Sequence, residues 1–264
     1  VIAVSDIPAP EMKRCPFCDE EIRVKAMICK HCRQWMPGYS YESAIRDLVI
    51  EKQVTELAPS SREEDVRSRE GQLRLAKQWA SGDKSLSLSG FDLSAQDLRG
   101  VNLAGANLSG ADLREADLSQ ADLRGANLGR ANLFRANLRG ANLRRAQFTE
   151  AYMREVTLER ADLSGCKLDR ANLRGANLAQ AVLYRVDLEG ANLKLTDVRS
   201  ANLRESYLKD TDFSGSKFAD ADLKGAMLIR TNFGDADVEA YQYKQARSID
   251  EVILPTGRVY SRPV

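Results

Sequence analysis

Residues 106–128 read ANLSGADLREADLSQADLRGANL, and this stretch decides the fold. Aligned on the central Leu, its units are Leu108, Leu113, Leu118, Leu123 and Leu128, always five residues apart. The register extends outward in both directions, from Leu88 to Val238, through 31 consecutive centres that are each Leu, Phe, Met or Val. Two positions before most centres stands a small residue, usually Ala, with Cys166, Thr196, Ser206, Thr211 and Ser216 among the exceptions. A period of five suits neither an amphipathic helix nor a plain strand. Within one unit, however, the small residue and the Leu are two apart and share a face of an extended segment. The remaining two slots must turn the chain so that the next pair again points inward. Gly recurs in the last slot (Gly100, Gly105, Gly110, Gly125, Gly140, Gly175), which suits the positive φ of a type II turn. The chain is therefore expected to wind about a narrow axis filled by Leu, with coils stacked at the strand-pairing distance of about 4.8 Å.

These A-[DN]-L-x-x units, over residues 86–240, resemble the pentapeptide-repeat family. The resemblance implies an all-β solenoid, a right-handed quadrilateral β-helix with four units per coil, hence seven to eight coils and a rod about 37 Å long. Solenoid ends need caps. Gln96 in a small slot, with Leu86, Phe91 and Val101 larger than Ala, marks an atypical first coil, and a helix bearing Trp79 is the expected lid. Residues 241–264 form the expected C-terminal cap, with Tyr241, Tyr243, Ile249, Val252, Ile253 and Leu254 covering Phe233 and Val238. Some family members dimerise through that end, so the expected state is a monomer or a dimer through the C-terminal end.

Upstream, residues 1–11 read as a disordered lead-in or an extension before a true start at Met12. Residues 12–37 hold Cys15-Pro-Phe-Cys18 and Cys29-Lys-His-Cys32. Two C-x2-C pairs ten residues apart suit a tetrahedral tetrathiolate site for one structural Zn2+. Iron in a rubredoxin-like site and a pair of disulfides are the competing readings. The stretch resembles small bacterial zinc-ribbon modules, although the Gly that often follows each knuckle is missing. A closed site of four thiolates leaves no open position for chemistry. His31, the chain's single His, reads as a solvated knuckle residue, and Cys166 as packing. Residues 38–85 are expected to form a helical linker and N-terminal cap. One helix would carry Ile45, Leu48 and Val49 on one face. A second would start at Ser61 with Glu64 as a capping box, carry Val66, Leu73, Ala76 and Ala80, and stop at Gly82.

Lys+Arg is 39 and Asp+Glu is 38, so the whole chain is close to neutral, which disfavours a strongly basic nucleic-acid binder. Residues 123–149 hold six Arg and no acid, and residues 205–239 hold eight acids against four bases, which predicts a basic waist and an acidic far end. With coils of 20 residues, one column reads Arg114, Phe134, Arg154, Arg174, Lys194 and another contains Arg124 and Arg144, Tyr184, Arg204 and Lys224. Such ladders could meet a phosphate backbone or an acidic protein face, but a solvated face is the favoured reading. The Asp and Asn of nearly every unit are expected to bond turn backbones and one another.

No loop interrupts the repeat and no catalytic constellation is present, so no enzymatic activity is expected. The favoured function is a non-enzymatic protein-interaction scaffold whose protein partner is unidentified. The alternatives are a DNA-mimic modulator of a type II topoisomerase and nucleic-acid binding through the Arg ladders and ribbon. No stretch approaches the roughly 18 continuous apolar residues of a membrane helix, so no membrane role is expected. Residues 1–10 lack the marks of a secretory signal and the cysteines read as reduced, which points to the bacterial cytoplasm.

Overall fold

The computed structural model describes the backbone of residues 12–14 and 21–23 and residues 68–262 except 83 and 85. The chain divides into two compact units, Val1–Ala58 and Pro59–Val264. In the first unit, strands β1 (Met12–Arg14) and β2 (Glu21–Arg23) pair antiparallel, with Met12 opposite Arg23 and Arg14 opposite Glu21. Cys15, Cys18, Cys29, Cys32, His31 and the helix expected around Ile45 lie outside the described residues.

The second unit is a parallel β-helix. Outward residues bridge in parallel to residues 20 further on, from Asp92↔Asp112 to Asp212↔Asn232. Four five-residue units therefore make one coil. We number its faces by their centres: the first carries Leu88 and Leu108, the second Leu93 and Leu113, the third Leu98 and Leu118, the fourth Leu103 and Leu123.

One unit shows why this sequence pattern gives this fold, because all five of its backbone N–H groups find acceptors. In residues 121–125, the N–H of Ala121 closes the turn onto the Leu118 carbonyl (3.0 Å) and that of Asp122 reaches back a coil to Val101 (3.0 Å). The N–H of Leu123 reaches forward to Asn142 (2.8 Å) and that of Gly125 to Arg144 (2.9 Å). The remaining N–H, of Arg124, donates to Asp122 Oδ1 at 3.2 Å. The Asp/Asn slot thus serves the one amide that neither turn nor coil can satisfy. Side chains of that slot also bond along the stack, as in Asn137 Nδ2 to Asp117 Oδ1 at 3.1 Å.

The fifth slot has positive φ in every unit from Gly90 to Asp235, as a type II turn requires. Many units place Arg, Glu or Gln there instead of Gly, as at Arg135 (φ 56°). A left-handed residue with a Cβ costs roughly 1–2 kcal/mol. Burying one Leu returns about 1.5–3 kcal/mol, and the centres are fully buried from Leu88 to Phe233. The axis therefore outweighs the corner, and Gly is optional there. While Leu86, Gln96 and Val101 of the first coil are partly exposed, the inward small slots from Ala106 onward are equally dry. Their hydroxyls turn to backbone carbonyls, as in Thr196 Oγ1 to Leu193 (2.8 Å) and Thr211 Oγ1 to Leu188 (2.9 Å). The Sγ of Cys166 donates to the Leu143 carbonyl at 2.8 Å, and burial pushes this thiol up to about 12, so it sits in its slot as a packed side chain.

Helix α1 (Arg69–Ser81) closes the N-terminal end. Its cap is Ser68, whose side chain accepts the Gly71 N–H at 3.0 Å; the start expected at Ser61 and Glu64 lies outside the described residues. Gly82 ends the helix with φ 130°, as expected. The buried stripe is Gln72, Leu75, Ala76 and Trp79, while Leu73 and Ala80 are only partly covered, a rotation of the expected face. At the far end, β3 (Met227–Ile229) pairs in parallel with β4 (Ser248–Asp250), Met227 opposite Ser248. That register is 21, so the tail adds one further coil lengthened by one residue. Short helix α2 (Ala240–Tyr243) precedes it, and β5 (Val252–Ile253) with β6 (Val259–Tyr260) forms an antiparallel edge. Tyr243, Ile249 and Val252 are buried against the last coil, and Leu254 packs at its rim. Tyr241 is 55% exposed and takes no part in the cap: it precedes Gln242, and it is Gln242 whose side chain turns inward.

Two glutamines complete the ends. Gln72 Oε1 accepts the Asp92 N–H at 2.6 Å, and Gln242 Nε2 donates to the Phe218 (2.7 Å) and Ala221 (3.0 Å) carbonyls. Gln72 on Asp92 and Gln242 on Ala221 each supply from a side chain a bond that a neighbouring coil's backbone would otherwise make. An unpaired buried amide or carbonyl costs about 1–3 kcal/mol, so these two plugs matter to the caps.

Candidate interaction surface

The 20-residue register brings the first expected column, Arg114, Phe134, Arg154, Arg174 and Lys194, onto the second face, and Arg124 and Arg144 onto the fourth. The columns exist, but most of their charge is spoken for. Arg114 makes a bidentate contact to Asp112 (Nε–Oδ1 2.8 Å, Nη2–Oδ2 2.6 Å). Arg154 is partly covered and lies 3.9 Å from Glu155, and Lys194 lies 3.1 Å from Asp212. Arg124 grips Asp122 at 2.6 Å, and Arg144 reaches Asp162 at 3.4 Å. Phe134 lies under Arg135, 4.8 Å from its guanidinium, and 6.2 Å from the Tyr152 ring. Arg174 makes no ion pair among the described residues.

The basic waist expected over residues 123–149 does not exist in space. Arg130 pairs with Glu150 (2.9 Å), Arg135 with Glu155 (2.8 Å) and Arg139 with Glu159 (3.2 Å). With Arg124 and Arg144 paired as above, Arg145 alone of the six makes no ion pair among the described residues. A window along the chain counts charge within one coil and a half, whereas the partners of Arg130, Arg135, Arg139 and Arg144 sit about one coil further on and that of Arg124 just before the window. The acidic end is thinned in the same way: Glu205 meets Arg185 (2.7 Å), Asp212 meets Lys194 and Asp222 meets Arg204 (3.5 Å).

These contacts set the electrostatics. The Arg99 side chain bonds Asp97 and holds its carboxyl down to about 2. Arg124 lowers Asp122, Arg199 lowers Asp197, Arg185 lowers Glu205 and Arg230 lowers Asp210, each chiefly through a side-chain hydrogen bond. A carboxyl lowered on folding adds stability that is full above its unfolded value, near 4, and is lost as pH falls through its folded value. Melting temperature should therefore stay level from pH 7 to about 5 and fall increasingly below about 4. Each pair is exposed, so the loss is shared by many small contributions. Thermal unfolding followed by circular dichroism across that range checks this, with Arg99→Gln predicted to flatten the acid limb slightly.

A groove on the first face is lined by Lys167, Asp169, Arg170, Asp187, Glu189, Gly190 and Asp210. It is shallow and mixed in charge. Among the described residues no group of His, Cys, Asp and Glu converges as a metal site, and no helix is long and apolar enough to cross a membrane.

A parallel β-helix of five-residue units, four to a coil, with outward charge, defines a class of solenoid. The family model for pentapeptide repeats matches residues 92–130, 131–170, 166–204 and 206–239. The chain belongs to the pentapeptide-repeat family. Among solved structures, QnrB1, a plasmid-mediated fluoroquinolone resistance protein, shares the fold in trypsin-treated form at 19% identity. The match covers 56% of this chain and 76% of that one with a TM-score of 0.51. HetL is a pentapeptide repeat protein involved in heterocyst differentiation regulation from the cyanobacterium Nostoc sp. strain PCC 7120. It is 34% identical over 66% of this chain and 87% of that one, with a TM-score of 0.48. No curated protein matches the chain.

Proposed function

We propose that this protein is a non-enzymatic interaction scaffold: a stiff, right-handed quadrilateral rod that presents columns of side chains to a protein partner. The observation that carries the reading is the 20-residue register, which places outward side chains in straight rows with no loop between them. A rigid periodic face loses little conformational entropy on binding and suits an extended protein contact. The N-terminal module supplies a second, zinc-stabilised contact, with Cys15, Cys18, Cys29 and Cys32 as its ligands. The pairing of Arg14 with Glu21 supports this, since residues 15–20, with the first cysteine pair, connect two hydrogen-bonded strands. The rod works in the bacterial cytoplasm in this reading. A DNA mimic needs a continuous acidic face, and the acids here are largely paired with bases of adjacent coils. The same pairing disfavours a phosphate-gripping ladder.

Nuclease-treated affinity capture of the intact protein, read by quantitative mass spectrometry, tests this. The scaffold reading expects a protein enriched with and without nuclease and retained as salt rises from 50 to 200 mM. Enrichment that vanishes with nuclease, or falls steeply over that salt range, points instead to nucleic acid.

A further inference from the structure

We propose that the second face between Arg170 and Leu195 docks an acidic segment of a partner protein that carries an apolar side chain. The inference deepens the scaffold reading and rests on it. On this face the strand column reads Asp112, Asn132, Tyr152, Asn172 and Asn192 before returning to Asp212. Each amide Oδ1 accepts its own turn N–H, Asn172 from Arg174 (3.2 Å) and Asn192 from Lys194 (3.1 Å). Their Nδ2 groups make no hydrogen bond among the described residues and stand as donors. Arg174 has Asn172 where Arg114 has the neutralising Asp112. Arg170 is 77% exposed, 4.0 Å from Glu150 and beside the acids of the first-face groove, whereas Arg174 makes no ion pair among the described residues. Lys194 shares Asp212.

Leu195 supplies the apolar element. It sits in a corner slot at φ 58° and is 56% exposed. A left-handed β-carbon residue costs roughly 1–2 kcal/mol, and here the side chain gains little burial in return. The corner slots above and below it are Gly175 and Gly215, so it stands alone; its Cδ2 lies 2.7 Å from where a Cβ on Gly215 would be. A strained, exposed apolar residue beside Arg174 and two amide donors fits a segment of Asp or Glu with one large apolar side chain. Carboxylates would meet Arg174 and the two amides, and the apolar group would cover Leu195. Nucleic acid is the poorer fit, because the cation column ends against Asp212 and the knob offers no aromatic face for a base.

The test is fluorescence anisotropy of the full chain with a labelled 12-residue peptide of Glu-Asp-Leu repeats, the same peptide with Ser for Leu, and a 12-nucleotide oligo-dT. Arg174→Glu/Lys194→Glu is expected to weaken the Leu peptide about tenfold or more. Leu195→Ser is expected to weaken it about threefold and leave the Ser peptide unchanged. Arg145→Glu on the fourth face is expected to change nothing, and circular dichroism verifies that each variant is folded. No measurable binding of the Leu peptide, equal binding by the wild type and the double variant, or tighter oligo-dT binding that the double variant loses would each overturn the proposal. If the captured protein partner survives in the double variant, this surface fails while the scaffold reading stands; if nothing is captured, the scaffold reading itself fails.

Discussion

Removal of residues 121–140 should leave a folded, shorter protein, whereas removal of Gln120 alone should destroy the rod. The first deletion takes out one whole coil and joins Gln120 to Ala141, which occupies the same place as Ala121 one coil earlier. Every downstream side chain keeps its face, and stability falls only by one coil's share, as in other solenoids. The single deletion shifts each later residue by one place. Leu123, Leu128, Leu133 and their successors would then turn outward relative to the coils before them. Each displaced Leu forfeits about 1.5–3 kcal/mol, and a few such losses exceed the 5–15 kcal/mol of a typical domain. An extra residue can be looped out, as the 21-residue register of the C-terminal tail shows where the repeat has ended. A missing one cannot. Circular dichroism melts of both variants check this: one cooperative transition for the coil deletion, and none, or an insoluble product, for the single deletion. Equal stability of the two would contradict the coil register.

Chelation should act on the N-terminal module and spare the rod. In the zinc reading, Cys15, Cys18, Cys29 and Cys32 hold one ion whose binding supplies the folding energy of a module too small for its own core. Apparent binding energies of structural zinc in small modules are about 10–16 kcal/mol near neutral pH. Loss of the metal should therefore unfold residues 12–37 entirely. Hydrogen exchange by mass spectrometry, with and without a strong chelator, should show lost protection around residues 12–37 and unchanged protection over residues 91–238. Metal analysis should return one zinc per chain, falling to none in Cys15→Ser/Cys29→Ser. Iron in that analysis, or cysteines that resist alkylation without any metal, would favour the iron or disulfide alternative.

The axis was legible from the sequence because Leu and Ala recur at places where only an inward orientation makes sense of them. The corner was legible from Gly100, Gly105 and Gly110, although the structure extends the positive φ to residues such as Arg135 that carry no such signal. The two glutamine plugs were not legible. Gln72 and Gln242 look like surface residues until the missing coil beyond each end is seen, and each stands near the register position of that coil. The end cap was partly legible, but Tyr241 and Gln242 are adjacent, and which of them turns inward depends on the short helix α2. The surface is the least legible part of the sequence. Counting charge along residues 123–149 gave a basic waist because the acids that neutralise it, Glu150, Glu155, Glu159 and Asp162, begin just beyond that window and stack onto it. Stepping by 20 residues would have found those pairs, and would also have set Leu195 apart between Gly175 and Gly215.

Fold and interaction reading alike depend on residue i lying over residue i+20. Spin labels placed on the third face through noncanonical residues, at Ser119 with Ala179 and at Ser119 with Ala219, measure that directly by pulsed electron resonance. Three and five coils at the strand spacing predict backbone separations of about 14 and 24 Å, a rise of about 4.8 Å for every 20 residues. Distances that do not grow linearly with coil number, or two pairs with the same separation, would contradict the stacked columns and the surface built on them.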